Sequence, residues 1–258
     1  MPELPEVEIY KRYLDSTSLN KEITDIFVRD ERILKIDGNH FKKQVIGKEF
    51  LSTMRHGKNL FIKLDSIYIL LHFGMSGDLE YFKPLEKEPR YSKVIFQFKN
   101  GHYLAYISIR LFGKVDLVEN LNEFIEQNKL GPDAYKMTME EFLFATRRRS
   151  GNLKNLLLNQ EFIAGIGNVY SDEILFRSGL SPKKKIKDLN ENELKTLYEQ
   201  IKEVIKFGIK KEGDWTSYPG NSLIPHRKKN NICPNCATIL DIIEISGRRG
   251  FFCPKCQK

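Results

Sequence analysis

The sequence predicts an α+β fold in which a β-sandwich, a helical region and a small cysteine-bearing β-hairpin follow one another along the chain. Three observations predict it. Short β-rich runs separated by turn residues fill the stretch from Glu22 to about Glu119. Apolar residues then recur with helical spacing between Met139 and Lys210. All four cysteines lie in the last 26 residues, as two Cys-x-x-Cys pairs.

The N-terminal half is expected to contain one helix followed by strands. Val7–Thr17 has apolar residues at helical spacing. Lys99-Asn100-Gly101 is typical of the turn in a β-hairpin. Several short strands behind a single helix favour a β-sandwich. The candidate strands are Ile23–Val28, Glu49–Met54, Leu60–Leu64, Ile67–His72, Val94–Phe98 and Tyr103–Ile107.

The C-terminal half is expected to be helical after a linker at Leu130-Gly131-Pro132-Asp133. Asn190 followed by Glu193 is a capping pattern that marks the start of the longest helix. A two-glycine turn, Ala164–Asn168, either binds a phosphate through its N–H groups or is simply a tight turn. The candidate helices are Met139–Arg147, Leu153–Asn159, Val169–Ser178 and Glu191–Lys210.

The cysteines predict a metal site. Cys233 and Cys236 form one pair, and Cys253 and Cys256 form the other, sixteen residues further on. This spacing matches a tetrahedral four-cysteine zinc site on a β-hairpin, with a structural role because four thiolates leave no open position. Two disulfides are the competing interpretation, but they fit poorly with a chain that lacks a secretory signal.

Composition favours a polyanionic partner. The chain has 42 Lys and Arg against 34 Asp and Glu, a net charge of +8 and a pI near 9.1, which suits nucleic acid or an anionic membrane surface. Ile67–Phe73 is apolar but too short to span a bilayer, and the N-terminus lacks the basic-then-apolar order of a signal peptide. We therefore expect a monomer in the cytoplasm, associated with the nucleoid.

The N-terminus offers a nucleophile. If Met1 is removed, Pro2 presents an α-amine whose pKa of about 7.7–8.0 leaves roughly a tenth of it unprotonated at pH 7. Such an amine can attack an electrophilic carbon and form an iminium, and Glu3 stands beside it as a proton donor. The alternative is that Pro2 and Pro5 only stiffen the entry to a helix.

Five motifs, read in order, resemble the formamidopyrimidine-DNA glycosylase family. They are PELPEVE at the N-terminus, RHGKNL, HFGMSG, GIGNVYSDEILF and the CPKCQK ending. Leu4 and Val7 resemble the formamidopyrimidine branch more than the related endonuclease VIII branch. The resemblance implies a catalytic β-sandwich over residues 1–130, a helix–two-turns–helix DNA-binding domain over 131–222 and a zinc-finger β-hairpin over 223–258, with damaged double-stranded DNA in the cleft between them.

The implied activity is base excision repair by a bifunctional glycosylase and abasic-site lyase, which removes oxidised bases and then cuts the backbone by β- and δ-elimination. By resemblance, Pro2 attacks the sugar C1′ to form a Schiff base and Glu3 shuttles protons. Lys58 would assist elimination and contact a phosphate. Arg248, five residues before Cys253, would enter the minor groove and aid the last elimination; its neighbour Arg249 takes that role if the alignment shifts by one.

The target nucleotide must leave the stack, and the resemblance implies three side chains that fill its place: Met75, Arg110 and Phe112. The alternative is that Met75 and Phe112 are core residues. Ser108, Ile109 and Leu111 depart from the family pattern, so the loop around Arg110 is expected to differ in shape. The implied phosphate contacts are His72, Arg149, Lys154 and Asn168.

One segment departs clearly from the family. Gly213–Arg227 is short, contains prolines and holds the only tryptophan, Trp215, where the family has a longer loop over flipped 8-oxoguanine. We therefore expect a preference for formamidopyrimidines, hydantoins or oxidised pyrimidines. Two other functions stay open at this point, a non-catalytic protein that binds damaged DNA and a zinc-ribbon factor that binds RNA.

Overall fold

The computed structural model describes residues 2–147, 149–245 and 247–258, which form two compact units. The first unit contains Pro2 and Glu6–Gln127, and the second contains Glu3–Pro5 and Asn128–Lys258. No helix in the described part of the chain is long and apolar enough to cross a bilayer.

The first unit is built from two four-stranded antiparallel sheets, as the prediction of a β-sandwich requires. One sheet has the order β1-β6-β7-β5 and the other β2-β3-β4-β8. Phe50, Phe96 and Phe98 pack edge to face in its core, with ring centroids 5.5 Å apart in each Phe50 pair. The strands are β1 Ile23–Val28, β2 Ser52–His56, β3 Asn59–Lys63, β4 Tyr68–His72, β5 Gly77–Phe82, β6 Ser92–Phe98, β7 Tyr103–Ser108 and β8 Lys114–Val118.

Three helices accompany these sheets: α1 Leu4–Thr17, α2 Gly38–Val45 and α3 Leu121–Gln127. The chain passes from one sheet to the other between β4 and β5, and it returns between β7 and β8. Met75 lies in the first of these connections, and Arg110 and Phe112 lie in the second. Because β5 pairs with β7 so that Gly77 faces Ser108, the two connections are neighbours.

The second unit is helical, with α4 Met139–Thr146, α5 Leu153–Leu158, α6 Asn168–Arg177 and α7 Glu191–Lys210. α7 begins at the predicted capping box, in which Asn190 and Glu193 each bond the other's backbone N–H. Apolar residues of α7 such as Ile201 and Ile205 are fully buried against α6 residues such as Tyr170.

A β-hairpin ends the unit, formed by β9 Asp241–Ile245 and β10 Arg248–Phe252. The cysteine-bearing end of the unit packs on a small apolar cluster, which contains Phe176 of α6, Leu223, Leu240 and two of the cysteines. The predicted α+β class is confirmed. Four elements were not anticipated from the sequence: α2, β5, β8 and α3.

Candidate active site and nucleic-acid interface

The Glu3 carboxylate is held at the N-terminus of α6. Glu3 is fully buried, and its oxygens accept hydrogen bonds from the backbone N–H groups of Gly167 at 2.6 Å, Val169 at 2.8 Å and Tyr170 at 3.4 Å. These N–H groups have no partner within the helix, and the helix dipole also favours an anion there. The two-glycine turn therefore holds a carboxylate of this same chain, rather than being only a tight turn.

Two glycines make this close approach possible. A Cβ on Gly167 would lie 2.3 Å from Cδ of Glu3, and one on Gly165 would lie 2.4 Å from Cδ1 of Leu4. Gly165 also has a φ of +114°, and its carbonyl accepts a 3.0 Å bond from the N–H of Leu4. The turn thus fixes Glu3 and Leu4, which follow Pro2 directly. Pro2 itself is half-buried.

Lys58 lies in a two-residue turn between β2 and β3 and is half-buried. Arg55, only 4% exposed, stabilises the turn by donating to the Gly57 carbonyl at 3.0 Å. The same guanidinium forms a 2.8 Å ion pair with Glu8 of α1. The turn that carries Lys58 is therefore anchored to the first helix.

His72 is neutral at physiological pH. Burial, followed by the nearby ammonium groups of Lys114 and Lys58, lowers the pKa of His72 to about 4. The register places His72 opposite Asn59 on one side and Lys114 on the other. Its Nδ1 accepts a 3.2 Å bond from the N–H of Gly74, so the proton lies on Nε2. His72 thus offers one N–H donor between two ammonium groups.

The three predicted wedge residues are exposed. Met75 is 42% exposed and Phe112 is 63% exposed, which excludes the alternative that they are core side chains. Arg110 is also exposed, its N–H donates to Ser76 Oγ at 3.1 Å, and its Nη1 lies 4.0 Å from Met75 Sδ. The two connections between the sheets therefore present these side chains together.

Leu111 differs from its neighbours, because it packs against the core of the first unit. It does so with a φ of +55°, which is unusual for a residue with a branched side chain. This conformation turns one side chain inward between two that are exposed. Ile109, another departure from the family pattern, is 58% exposed.

Lys154 does not occupy the predicted position on the DNA surface. Its side chain is fully buried, and its three ammonium hydrogens are used by the Asn168 carbonyl at 2.9 Å, Ser171 Oγ at 2.7 Å and Asp172 Oδ1 at 2.6 Å. A lysine enclosed in this way cannot reach a phosphate. Its contacts come from α6, which no local pattern around Lys154 reveals.

Two other predicted phosphate contacts are partly engaged within the protein. Asn168 is half-buried, and its Nδ2 donates to the Arg249 carbonyl at 2.9 Å. Arg149 is half-buried, and its Nη2 donates to the Glu161 carbonyl at 3.0 Å. Each side chain has further N–H donors. Arg148 lies outside the described residues.

The hairpin presents both candidate arginines. Arg248 and Arg249 are exposed neighbours on β10, opposite Ile245 and Glu244 of β9. Adjacent residues of a strand point to opposite faces, so the two guanidinium groups face different directions. The backbone carbonyl of Arg249 is fixed by Asn168.

The four cysteines form one cluster. All are free, and their sulfur atoms lie within 4.8 Å of one another. Sγ of Cys233 lies 3.8 Å from that of Cys256, and Sγ of Cys236 lies 3.5 Å from that of Cys253. In a tetrahedron with metal–sulfur bonds of about 2.3 Å, the sulfur atoms are about 3.8 Å apart. The cluster therefore fits a metal ion, and the two-disulfide interpretation is wrong.

The segment Gly213–Arg227 is packed onto the second unit. Trp215 packs against the helical core. The rings of Tyr218 and Phe207 pack edge to face, with centroids 5.0 Å apart. Ile224 is buried, and its N–H donates to Glu173 Oε2 at 2.9 Å. Short 3₁₀ turns at Trp215–Ser217 and Ile224–His226 give the segment local structure.

Comparisons with known proteins agree with this geometry. The formamidopyrimidine-DNA glycosylase N-terminal domain matches residues 1–115, and the H2TH domain of formamidopyrimidine-DNA glycosylase matches residues 130–219. The formamidopyrimidine-DNA glycosylase of Streptococcus pyogenes serotype M3 is 31% identical over 272 residues, with 100% of this chain and 99% of that protein covered. That of Pelotomaculum thermopropionicum is 32% identical over 274 residues, with the same coverage.

Solved structures are similar over the whole chain. Lactococcus lactis Fpg in complex with DNA that contains an abasic site has a TM-score of 0.89 at 25% identity, with 99% of each chain covered. The same protein with DNA that contains N7-benzyl-Fapy-dG has a TM-score of 0.89 at 26% identity, with 100% of each chain covered. The chain therefore belongs to the formamidopyrimidine-DNA glycosylase family and is a DNA glycosylase with abasic-site lyase activity.

Proposed function

We propose that Pro2, after removal of Met1, is the nucleophile with which this enzyme removes an oxidised base from duplex DNA. The observation that carries the proposal is the buried Glu3 carboxylate, which three backbone N–H groups hold in one orientation directly beside Pro2 in the chain. A fixed carboxylate next to an amine that is partly unprotonated at neutral pH combines a nucleophile with a proton carrier.

The chemistry proceeds through an iminium. The Pro2 nitrogen forms a bond to C1′ as the bond between C1′ and the damaged base breaks, and the departing base takes a proton. Opening of the sugar ring gives the iminium, and Glu3 carries protons to and from the sugar during these steps. Loss of a C2′ proton expels the 3′ phosphate, and loss of the C4′ proton then expels the 5′ phosphate. Water hydrolyses the remaining iminium, which releases the sugar remnant as an aldehyde and frees the Pro2 amine. The product is a gap of one nucleoside.

Two N–H donors of the first unit, the Lys58 ammonium and the neutral His72 imidazole, support a phosphate-binding role. Lys58 would contact a phosphate next to the lesion and assist elimination. His72 would donate its Nε2 hydrogen to a phosphate oxygen while remaining neutral, since its pKa is about 4. Arg149 and Asn168 of the second unit would contact further phosphates through the N–H groups that Glu161 and Arg249 do not use.

The exposed loop residues support the wedge role. Met75 and Phe112 would occupy the space that the extruded nucleotide leaves, because an apolar side chain can take the place of a base in the stack. Arg110 would donate hydrogen bonds to the base that has lost its partner. Arg248 would enter the minor groove from the hairpin and assist the last elimination.

We further propose that the cysteine cluster holds one structural Zn²⁺. Four thiolates with tetrahedral spacing suit zinc, and they leave no coordination position for a substrate. The ion would stabilise the hairpin and so the position of Arg248.

Borohydride trapping on DNA with an abasic site tests the nucleophile. The wild-type enzyme should give a covalent protein–DNA adduct, and Pro2→Gly should give much less. Chemical acetylation of the mature N-terminus should abolish the adduct. A normal yield from the acetylated enzyme would show that another group attacks C1′.

We propose a lesion preference away from 8-oxoguanine. The packed Gly213–Arg227 segment supports this, because Trp215 and Ile224 tie it to the helical core rather than leaving it able to close over a base. The alignment with the S. pyogenes relative spans 272 residues, so that relative carries segments absent from the 258 residues here.

Excision rates under single-turnover conditions on matched duplexes test the preference. We expect formamidopyrimidine, hydantoin or oxidised-pyrimidine lesions to be removed faster than 8-oxoguanine, and abasic sites to be cleaved in every case. 8-Oxoguanine as the best substrate would refute the proposal.

A further inference from the structure

A buried carboxylate that the proposed chemistry does not use joins the hairpin to the helix that holds Glu3. The Asp172 side chain is 1% exposed and lies in α6. Its Oδ1 accepts a 2.6 Å bond from Lys154 Nζ. Its Oδ2 accepts bonds from Arg227 Nε at 2.9 Å and from the backbone N–H of Phe251 at 3.1 Å. One side chain thus contacts three separate parts of the second unit.

On one side, the network leads to the turn that binds Glu3. Lys154, paired with Asp172, also donates to the Asn168 carbonyl and to Ser171 Oγ. Ser171 Oγ in turn donates to the Gly167 carbonyl at 2.6 Å. The network therefore bonds carbonyl groups at the start of α6, and the backbone N–H groups of the same turn bind the Glu3 carboxylate.

On the other side, the network leads to β10. Phe251 donates to Asp172, and the Arg249 carbonyl accepts from Asn168, so two bonds join alternate residues of the strand to α6. Gly250, between them, lies so close that an added Cβ would be 2.9 Å from Asp172 Oδ1 and 3.2 Å from Lys154 Cε. Arg248 is two residues away on the same strand.

Stability alone does not account for this arrangement. Burying an Asp–Lys pair costs desolvation that its attraction roughly offsets, so an apolar pair would stabilise the fold as well. The pair adds directional hydrogen bonds, which fix the position of one element relative to another. Here the elements are the strand that carries Arg248 and the helix that holds Glu3.

We propose that Asp172 is a positioning residue for the elimination chemistry: by binding the Phe251 N–H, Lys154 and Arg227 together, it sets where β10 places Arg248. This inference rests on the proposed role of Arg248 in the last elimination. Asp172 itself touches no substrate. Its loss should therefore impair the step that needs Arg248 more than the step that needs Pro2.

The test uses the full-length, zinc-loaded Asp172→Asn enzyme. Single-turnover reactions on a lesion duplex and on a prepared abasic duplex resolve base release, β-elimination and δ-elimination products. We expect the ratio of δ- to β-elimination products to fall by about tenfold, since small displacements of a reacting group have effects of this size or larger. Base release and borohydride trapping should change by less than about threefold, because the bonds that hold Glu3 come from the backbone N–H groups of Gly167, Val169 and Tyr170 and not from Asp172.

Glu173→Gln is the matched control. Glu173 is the next residue of α6 and is fully buried, but it bonds Arg177 and the N–H of Ile224 rather than the hairpin. Its product ratio should equal that of the wild type. An equal fall in both variants would overturn the inference, because it would indicate general loosening of the helix.

Arg227→Gln is the second variant, and it decides the question if Asp172→Asn does not fold. It removes one partner of Asp172 while Lys154 remains, and we expect a smaller fall in the same ratio and faster amide hydrogen exchange in residues 248–252. An unchanged product ratio together with unchanged hydrogen exchange in Arg227→Gln would overturn the inference.

Arg248→Ala separates the two proposals. If it leaves the product ratio unchanged, the proposed role of Arg248 is wrong, and hydrogen exchange alone then decides whether Asp172 positions the strand.

Discussion

At the scale of single residues, the site depends on close approach between groups that are far apart in sequence. Gly167 has no side chain where the Glu3 carboxylate must lie, and the N–H of Gly167 makes the shortest of the three bonds to it. Gly167 thus provides both the room for the Glu3 carboxylate and an N–H donor to it. A substitution there tests the orientation of Glu3 without touching Glu3.

Gly167→Ala should slow base release by about tenfold or more, because the new Cβ would lie 2.3 Å from Glu3 Cδ and force the carboxylate to move. Single-turnover excision from a lesion duplex measures this. Gly220→Ala is the control, since nothing lies within 4 Å of its Cβ position. Equal rates for the two variants would show that the orientation of Glu3 is not critical.

His72 gives the second residue-scale prediction. Its pKa in the folded protein is about 4, below the ordinary value of 6.5, so between these values the unfolded chain binds a proton that the folded chain does not. The free energy of unfolding should therefore decrease as the pH falls from 6.5 towards 4. His72→Gln lacks this titration. Urea unfolding of both proteins, measured across this range with equal zinc, should show the steeper pH dependence in the wild type, and parallel curves would contradict the assignment.

At the scale of elements, the β2–β3 hairpin owes its position to a buried ion pair. The Arg55 side chain is 1% exposed and the Glu8 side chain 14%, and the guanidinium of Arg55 also bonds the carbonyl of Gly57. Removing the Glu8 carboxylate takes a charged partner away from a buried guanidinium, which is far more costly than losing an exposed pair. Lys58 follows Gly57, so its position depends on this pair.

Glu8→Leu should lower the free energy of unfolding by about 3–5 kcal/mol and slow abasic-site cleavage, while Glu8→Leu with Arg55→Leu should recover part of the stability. Chemical denaturation and single-turnover cleavage measure the two effects. Glu199→Gln, which breaks an exposed pair with Lys195, should cost less than about 1 kcal/mol. If Glu8→Leu lowers the free energy of unfolding by no more than Glu199→Gln does, the pair does not have the role described.

Elements with strong local signals could be predicted from the sequence, and those without them could not. β1 and α7 have the predicted bounds, Ile23–Val28 and Glu191–Lys210. In β1 the short β-rich run ends at turn residues, and in α7 the helical spacing of the apolar residues starts directly after the capping box. α2 begins with Gly38 and Asn39, which are poor helix formers; it forms because Asp37 caps the His40 N–H and Phe41 is buried.

In the candidate site too, some features could be predicted from the sequence and others could not. The cysteine cluster could be predicted because its spacing is fixed by metal geometry. The burial of Lys154 could not, because Ser171 and Asp172 approach it from another helix. The sequence does carry one signal of a buried network, because Ser171, Asp172 and Glu173 lie between the apolar residues Tyr170 and Ile174 of a helix whose residues are nearly all buried.

At the scale of the whole molecule, a metal ion held by the four cysteines would stabilise a hairpin that packs on only a small apolar cluster. Five buried residues form that cluster; two of them are cysteines, and Phe176 comes from α6. Elements this small usually need a metal or disulfides to fold. The same hairpin carries Arg248 and Arg249, part of the excess positive charge of the chain.

Removal of the metal should therefore weaken DNA binding while the β-sandwich stays folded. Mass spectrometry of the native protein should find one zinc per chain, and chelation should reduce affinity for a lesion duplex by about tenfold or more. Readdition of zinc should restore it. Undiminished affinity after complete metal loss would contradict a structural role for the cluster in the DNA interface.

The atom of the protein that bonds the sugar decides whether Pro2 is the nucleophile. The wild-type enzyme is trapped with borohydride on abasic DNA, digested, and the modified peptide is sequenced by mass spectrometry. We expect the sugar remnant on the nitrogen of Pro2, in a peptide that lacks Met1. A remnant on Lys58, or full cleavage activity in protein that retains Met1, would contradict it.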